Sequence, residues 1–211
     1  MFRLIYKSLG GVVSSKQIVW SIMKSHPLRN QIEEIVRLTD GEFSVVLDHL
    51  HYKRFKKHQI VLHEGDVANF DFFILKGLMK VSRLDINGKD HILQFGMEGW
   101  WITDAEAFHN KSRAMLTLDC LEPTEVLALT LENKEALCNL LPKMQFFFLK
   151  KTTDDYIALQ KRILCFLSSD ANERYHNIVS VYPSLIQRVP KAMIASYLGV
   201  TRETLSRLSK T

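Results

Sequence analysis

Cysteine is scarce in this chain: Cys120, Cys138 and Cys165 stand far apart, and none falls in a CxxC spacing. That pattern supports neither a disulfide framework nor a zinc site, and it suits a reduced compartment. The same scarcity argues against an iron–sulfur cluster, which is held by cysteine thiolates. No apolar run approaches the roughly 20 residues needed to span a bilayer. The opening MFRLIYKSLGGVVSSKQIVWSI has short apolar patches, but Ser14, Ser15, Lys16 and Gln17 interrupt them, so a secretory leader is not expected. Residues 1–22 read instead as an extension, either disordered or an over-called start, and the expected location is the cytoplasm.

Catalytic chemistry is equally thin. No serine or cysteine can be set beside a base and an orienting partner. His49 and His51 form an HxH pair with His58 and His63 nearby, but the later glutamate and histidine of a metal-dependent β-barrel enzyme do not follow, and His91 stands outside any such pattern. No catalytic residue and no metal ligand is therefore assigned, and an enzyme is not expected.

What is present is a chain of 211 residues, 46% of them hydrophobic, enough for one sizeable core and a smaller second domain. The formal net charge of +5 permits a polyanionic partner without requiring one. Ile32, Ile35 and Val36 repeat at helical spacing over 29–37, and Thr39 to Phe43 look like a cap opening a second helix through Val45, Val46 and Leu50. After His51 the text turns into short β-type runs separated by Gly65-Asp66, Asp85 to Gly88, Glu98-Gly99 and Glu122-Pro123. Asn87-Gly88 between two alternating runs predicts a hairpin with both residues at positive φ. Many short strands at regular intervals point to an antiparallel barrel or jelly roll.

From Leu131 onward the pattern is helical. Leu149, Thr152, Tyr156, Leu159, Ile163 and Phe166 follow a 3,4,3,4,3 spacing, a heptad seam suited to pairing two copies of the chain. Phe146, Phe147, Phe148, Ile157 and Leu164 give the same helix a second apolar face, expected to pack on the β-domain. Near the end, VPKAMIASYLGVTRETLSRLSK has the grammar of a helix-turn-helix. Ile194, Ala195 and Leu198 face inward, Gly199 turns the chain, Val200 plugs the gap and Thr201 caps the next helix, which buries Leu205 and Leu208. Left outside are Arg202, Glu203, Ser206, Arg207 and Lys210. Arginine can donate two hydrogen bonds to guanine and glutamate can accept from cytosine, so the expected partner is the major groove of double-stranded DNA. Lys191, Arg188 and Lys210 are placed to meet phosphates.

From about Met23 the chain resembles the CRP/FNR superfamily of bacterial transcription regulators. HEGDVANFDFFILKGLMKVSRLDINGKDHILQF, with Gly65-Asp66, Gly77 and Gly88, is similar to the family's first roll strands, and RYHNIVSVYPSLIQRVPKAMIASYLGVTRETLSRLSK is similar to its DNA-binding part, in the style of Bacteroidetes-like regulators. The resemblance implies an α+β fold: a cyclic-nucleotide-binding-like antiparallel β-roll over 23–140, a long dimerisation helix over 141–168 and a C-terminal winged helix-turn-helix domain over 169–211. It implies a homodimer on DNA, with RNA polymerase as a further partner. Arg202, Glu203, Thr204 and Arg207 match the family's base-reading positions, which implies a TGTGA-like half-site.

The family's cyclic-AMP members hold the phosphate with a Gly-Glu pair, a short helix and an Arg-Ser or Arg-Thr pair. Here GWWITDAEAFHNKSRAML places Thr103-Asp104 and Arg113-Ala114 at those positions, and only Arg113 keeps the family's residue. Thr103 crowds the backbone, Asp104 is one methylene short, Ala114 lacks the hydroxyl, and Phe147 and Phe148 stand where polar residues would meet the base. These departures disfavour a cyclic nucleotide, and no cofactor is assigned. They favour a pocket filled by its own side chains, or one for an apolar ligand among Trp100, Trp101, Phe108, Phe146, Phe147 and Phe148. Two functions follow: a DNA-binding regulator or, as the alternative, a ligand-sensing β-roll whose C-terminal helices dock a protein partner.

Overall fold

The computed structural model describes residues 25–208, so the expected extension over 1–22 and Lys210 lie outside the described residues. Helix α1 (Pro27–Glu33) starts where proline suits the first helical position and the His26 ring accepts from the Leu28 N–H. It stops short of the expected Arg37. Thr39 and Glu42 form a reciprocal capping box that opens α2 (Asp40–Asp48).

Eight strands follow: β1 (His51–Phe55), β2 (Ile60–Leu62), β3 (Asp71–Lys76), β4 (Met79–Leu84), β5 (Asp90–Gly96), β6 (Trp101–Ile102), β7 (Thr117–Cys120) and β8 (Thr124–Leu129). They make two four-stranded sheets, β1-β8-β3-β6 and β2-β7-β4-β5, and every pairing is antiparallel. The period of two assigns the faces. On β3, Phe72 and Ile74 point between the sheets into a core with Met79, Val81, Leu118 and Val126, whereas Phe73 points outward. Leu127 does the same on β8, and the two meet Leu28, Ile32, Phe43 and Val46 of α1 and α2.

The β4–β5 hairpin corrects one expectation. Gly88 alone adopts positive φ (+77°) and Asn87 does not. The Asp85 carboxylate accepts from the N–H groups of Asn87 and Lys89, and the Asp85 carbonyl accepts from Gly88. This holds a longer turn with one left-handed residue in place of the two-residue one.

Helix α3 (Ala105–Asn110) lies between β6 and β7, and α4 (Leu131–Leu140) leads to α5 (Lys143–Ser168). Only Met144 and Phe147 of α5 are buried. All six seam residues are exposed, Phe166 at 39% and Leu149 at 65% among them. The second apolar face behaves differently from the expectation. Phe147 and Phe148 pack on the roll, but Phe146, Ile157 and Leu164 are exposed.

The chain ends in α6 (Ala171–Val181), α7 (Pro183–Arg188), α8 (Lys191–Leu198) and α9 (Arg202–Leu208). Asp170 and Glu173 form a second capping box at α6. Ile178, Leu185, Val189, Ile194, Ala195, Leu198 and Leu205 share one apolar cluster with Leu78, Ile92, Phe95 and Leu121 of the roll. No strand follows β8 among the described residues, so a wing is not part of what is described. Among the same residues, no helix is long and apolar enough to cross a membrane.

Candidate functional site

Two regions carry the residues singled out in the sequence. The first is the α8–α9 pair. Gly199 closes α8 at φ +68°, where only glycine fits without strain. The Val200 N–H reaches back to the Ala195 carbonyl and the Gly199 N–H to Ser196. The Thr201 hydroxyl then accepts from the Thr204 N–H at 3.1 Å and caps α9. Leu205 is buried and Leu208 half-buried, which turns Arg202, Glu203 and Arg207 outward and leaves Ser206 half-buried between them. Lys191, at the start of α8, is also exposed. The Glu203 carboxyl is held below the usual range by its own backbone N–H and the Thr201 hydroxyl, so it is an acceptor at neutral pH. The pair thus displays a donor and an acceptor in adjacent positions on one capped helix.

The second region surrounds α3. Asp104 is buried, and its carboxylate serves the loop itself. One oxygen accepts from Ala107 N–H at 3.2 Å and caps α3; the other accepts from Met115 at 2.9 Å and Leu116 at 3.1 Å. The Thr103 hydroxyl donates to the Phe70 carbonyl. Ala114 is buried and bridges Gly65 and Asp66 through its backbone in both directions, while exposed Arg113 donates to the Gly65 carbonyl at 2.8 Å. These four residues gather at one end of the roll. Beside them lies an open cleft of about 360 Å³ lined by Val61, Leu62, Val67, Ala68, Phe70 and Phe72, with Asp66 and Asn69 as its polar members. Phe147 and Phe148 are not part of it. They sit on the outer face of the β1-β8-β3-β6 sheet with Trp101, around a void of only about 10 Å³ lined by apolar side chains.

Of the aromatic residues named as an apolar pocket, Trp101, Phe147 and Phe148 come together and Trp100 and Phe108 lie elsewhere. Trp100 meets Tyr182 edge-on, Trp101 packs on Phe73 and Phe148, and Phe108 is buried inside the roll. Among the described residues no group of three or more His, Cys, Asp or Glu side chains is arranged to hold a metal ion.

Residues 52–140 match the cyclic nucleotide-binding domain family. No curated protein sequence matches the chain. Among solved structures, the c-di-GMP responsive global regulator CLP of Xanthomonas campestris is similar at 16% identity with a TM-score of 0.64, over 82% of this chain and 90% of that one. FixK2 from Bradyrhizobium japonicum gives 16% and 0.64, over 76% and 83%. The catabolite activator protein of Thermus thermophilus gives 19% and 0.51, over 82% and 83%. At these identities the likeness is one of fold.

Sequence reasoning missed the residues that join the roll to the C-terminal helices. Arg188, read as a phosphate contact, is instead gripped by Glu98 and Glu122. Arg162 was not singled out, yet it touches both β5 and the end of α8. These partners lie 35 to 90 residues away in sequence, and no local spacing signals such pairs.

Proposed function

We propose that the protein is a homodimeric, sequence-specific DNA-binding transcription regulator of the CRP/FNR type, acting in the cytoplasm without catalysis. The observation that carries this reading is the α8–Gly199–α9 pair, which buries Leu205 and turns Arg202, Glu203 and Arg207 outward on one capped helix. Arg202 and Glu203 are read as base contacts, with Thr201, Ser206, Arg207 and Lys191 completing the surface and Lys210 beyond the described residues. Pairing of two chains along Leu149, Thr152, Tyr156, Leu159, Ile163 and Phe166 would cover a stripe otherwise open to water. It would also present two α9 helices to successive major grooves about 34 Å apart.

The effector reading follows from Asp104. In the family a glutamate at this position holds the ribose hydroxyl, whereas here the shorter Asp104 carboxylate is buried and accepts from the N–H groups of Ala107, Met115 and Leu116 in its own loop. A carboxylate occupied in this way is not free to hold a ribose hydroxyl, which disfavours cyclic AMP and leaves the effector unassigned. RNA polymerase is a further partner on this reading.

The test is selection of bound sites from a randomised duplex pool by the purified, ligand-free protein at stated, near-physiological salt. The expected result is enrichment of a two-fold symmetric site with TGTGA-like halves. Absence of enrichment with and without cyclic nucleotides would sink the reading and leave the protein-docking role.

A further inference from the structure

The C-terminal helices meet the roll of their own chain over the outer face of β5, and the contact has both an apolar centre and polar edges. Ile92 and Phe95 on β5, with Leu78 and Leu121, enter the same buried cluster as Leu185, Val189, Ile194 and Leu198. Phe95 packs on Tyr197 with ring centroids 5.2 Å apart. Ser196 on α8 donates to the Asp90 carbonyl at 2.6 Å and accepts from Ile92 N–H at 3.3 Å, joining the helix to the strand backbone.

Two arginines bracket this contact. Arg188, at the end of α7, is held by two carboxylates. It bonds Glu98 through Nη1 at 2.8 Å and Nη2 at 3.0 Å, and Glu122 through Nε at 3.0 Å and Nη2 at 2.7 Å. Glu98 also accepts from Gly77 N–H, which fixes it to the roll. Forked pairing of this kind sets direction as well as distance. At the other edge, Arg162 reaches out of α5 to donate to the carbonyls of Leu93 and Ile92 on β5 and of Tyr197 on α8. Its guanidinium lies 4.0 Å from the centre of the Tyr197 ring and 5.4 Å from that of Phe166. Arg162 therefore joins the long helix, the roll and the turn that leads into α9, one residue before the seam residue Ile163.

We propose that the C-terminal helical unit is held as one body with the β-roll of its own chain, and that Arg162 and Arg188 are the positioning residues that fix where α9 points. A unit tethered only by α5 would swing; a shared apolar core edged by a two-carboxylate clamp and a three-carbonyl clamp does not. Neither arginine touches DNA on this account. The consequence for DNA rests on the regulator reading above, whereas the clasp does not.

The experiment is amide hydrogen exchange on the full-length protein, comparing wild type with R188M, R162M and the double variant E98Q/E122Q, followed by affinity for the site selected above. In wild type, the amides of Ile92, Val189 and Val200 are expected to exchange together. R188M and E98Q/E122Q are expected to speed them on the order of tenfold, with R188K in between because a point charge cannot make both forks. Affinity for duplex is expected to fall by a similar factor, with the base preference unchanged. Wild-type exchange in which 171–208 opens independently of 90–97, or exchange unmoved by all of the variants, would overturn the clasp. A relaxed base preference in R188M would make Arg188 a direct reader and overturn its positioning role. If the wild-type protein selects no site, the regulator reading fails, and the exchange result still decides the clasp.

Discussion

The loop around α3 and the turn before α9 are both short, polar segments at the edge of an apolar core, and they use their polar groups in opposite ways. In the first, Asp104 is 2% exposed and satisfies three backbone N–H groups. In the second, one hydroxyl of Thr201 caps the helix, and Arg202 and Glu203 remain in water. A carboxylate consumed by its own loop is architecture, whereas one left on an exposed capped helix is a surface available to a partner. The motif position alone does not distinguish the two; the backbone groups within reach do.

The sharpest way to break this contrast is to remove each group in turn. Asp104→Ala should destabilise the protein by about 3 kcal/mol, because three buried N–H groups lose their acceptor together. Denaturant unfolding measures this, and a loss below about 1 kcal/mol would mean that water replaces the carboxylate. Arg202→Ala should leave the unfolding midpoint unchanged and cost about 1–3 kcal/mol in duplex binding, concentrated at one base position. An equal loss on every sequence would make it a phosphate contact.

Acidity sharpens the contrast from another side. Asp71 follows Phe70, whose carbonyl accepts from Thr103, and burial pushes its carboxyl up from 3.8 to about 6, against the pull of Lys134. The folded form then binds more protons than the unfolded chain between about pH 4 and 6, so this group's stabilising effect is complete below that window and is lost as pH rises through it. Asp71→Asn should flatten that slope and raise stability at pH 7 by about 1–2 kcal/mol, measured by unfolding at pH 4 and pH 7. An unchanged slope would place the titration elsewhere.

The smallest effect compares two glycines at positive φ. A Cβ on Gly199 would stand 3.0 Å from the Phe166 ring, whereas one on Gly65 would meet nothing within 4 Å. Both alanine variants carry backbone strain of about 1 kcal/mol, and Gly199→Ala should cost a few tenths more unless the ring shifts. Equal melting temperatures would show that Phe166 gives way freely.

Much of this molecule could be read from local pattern. Alternation exposed the strands, Thr39 with Glu42 marked a helix start, and Gly199 followed by Thr201 marked the turn and cap of the last two helices. Each of those signals acts within four residues, the range over which a side chain can reach its own backbone. The heptad spacing along α5 was equally legible as a stripe, and all six of its residues are exposed in the structure.

Other features depended on which distant segments meet. The hairpin turn followed the Asp85 carboxylate in place of the Asn-Gly pair, and Phe147 went behind a sheet and away from the α3 loop. Arg188 lay among the basic residues near the end of the chain and looked like one more of them. It became a clamp because folding carried Glu98 and Glu122, 90 and 66 residues away, to its two sides. Periodicity and capping are set by neighbours along the chain and are written in the sequence. Ion pairing and burial are set by neighbours in space, which the same residue types leave open until the sheets close and the last helices dock against β5.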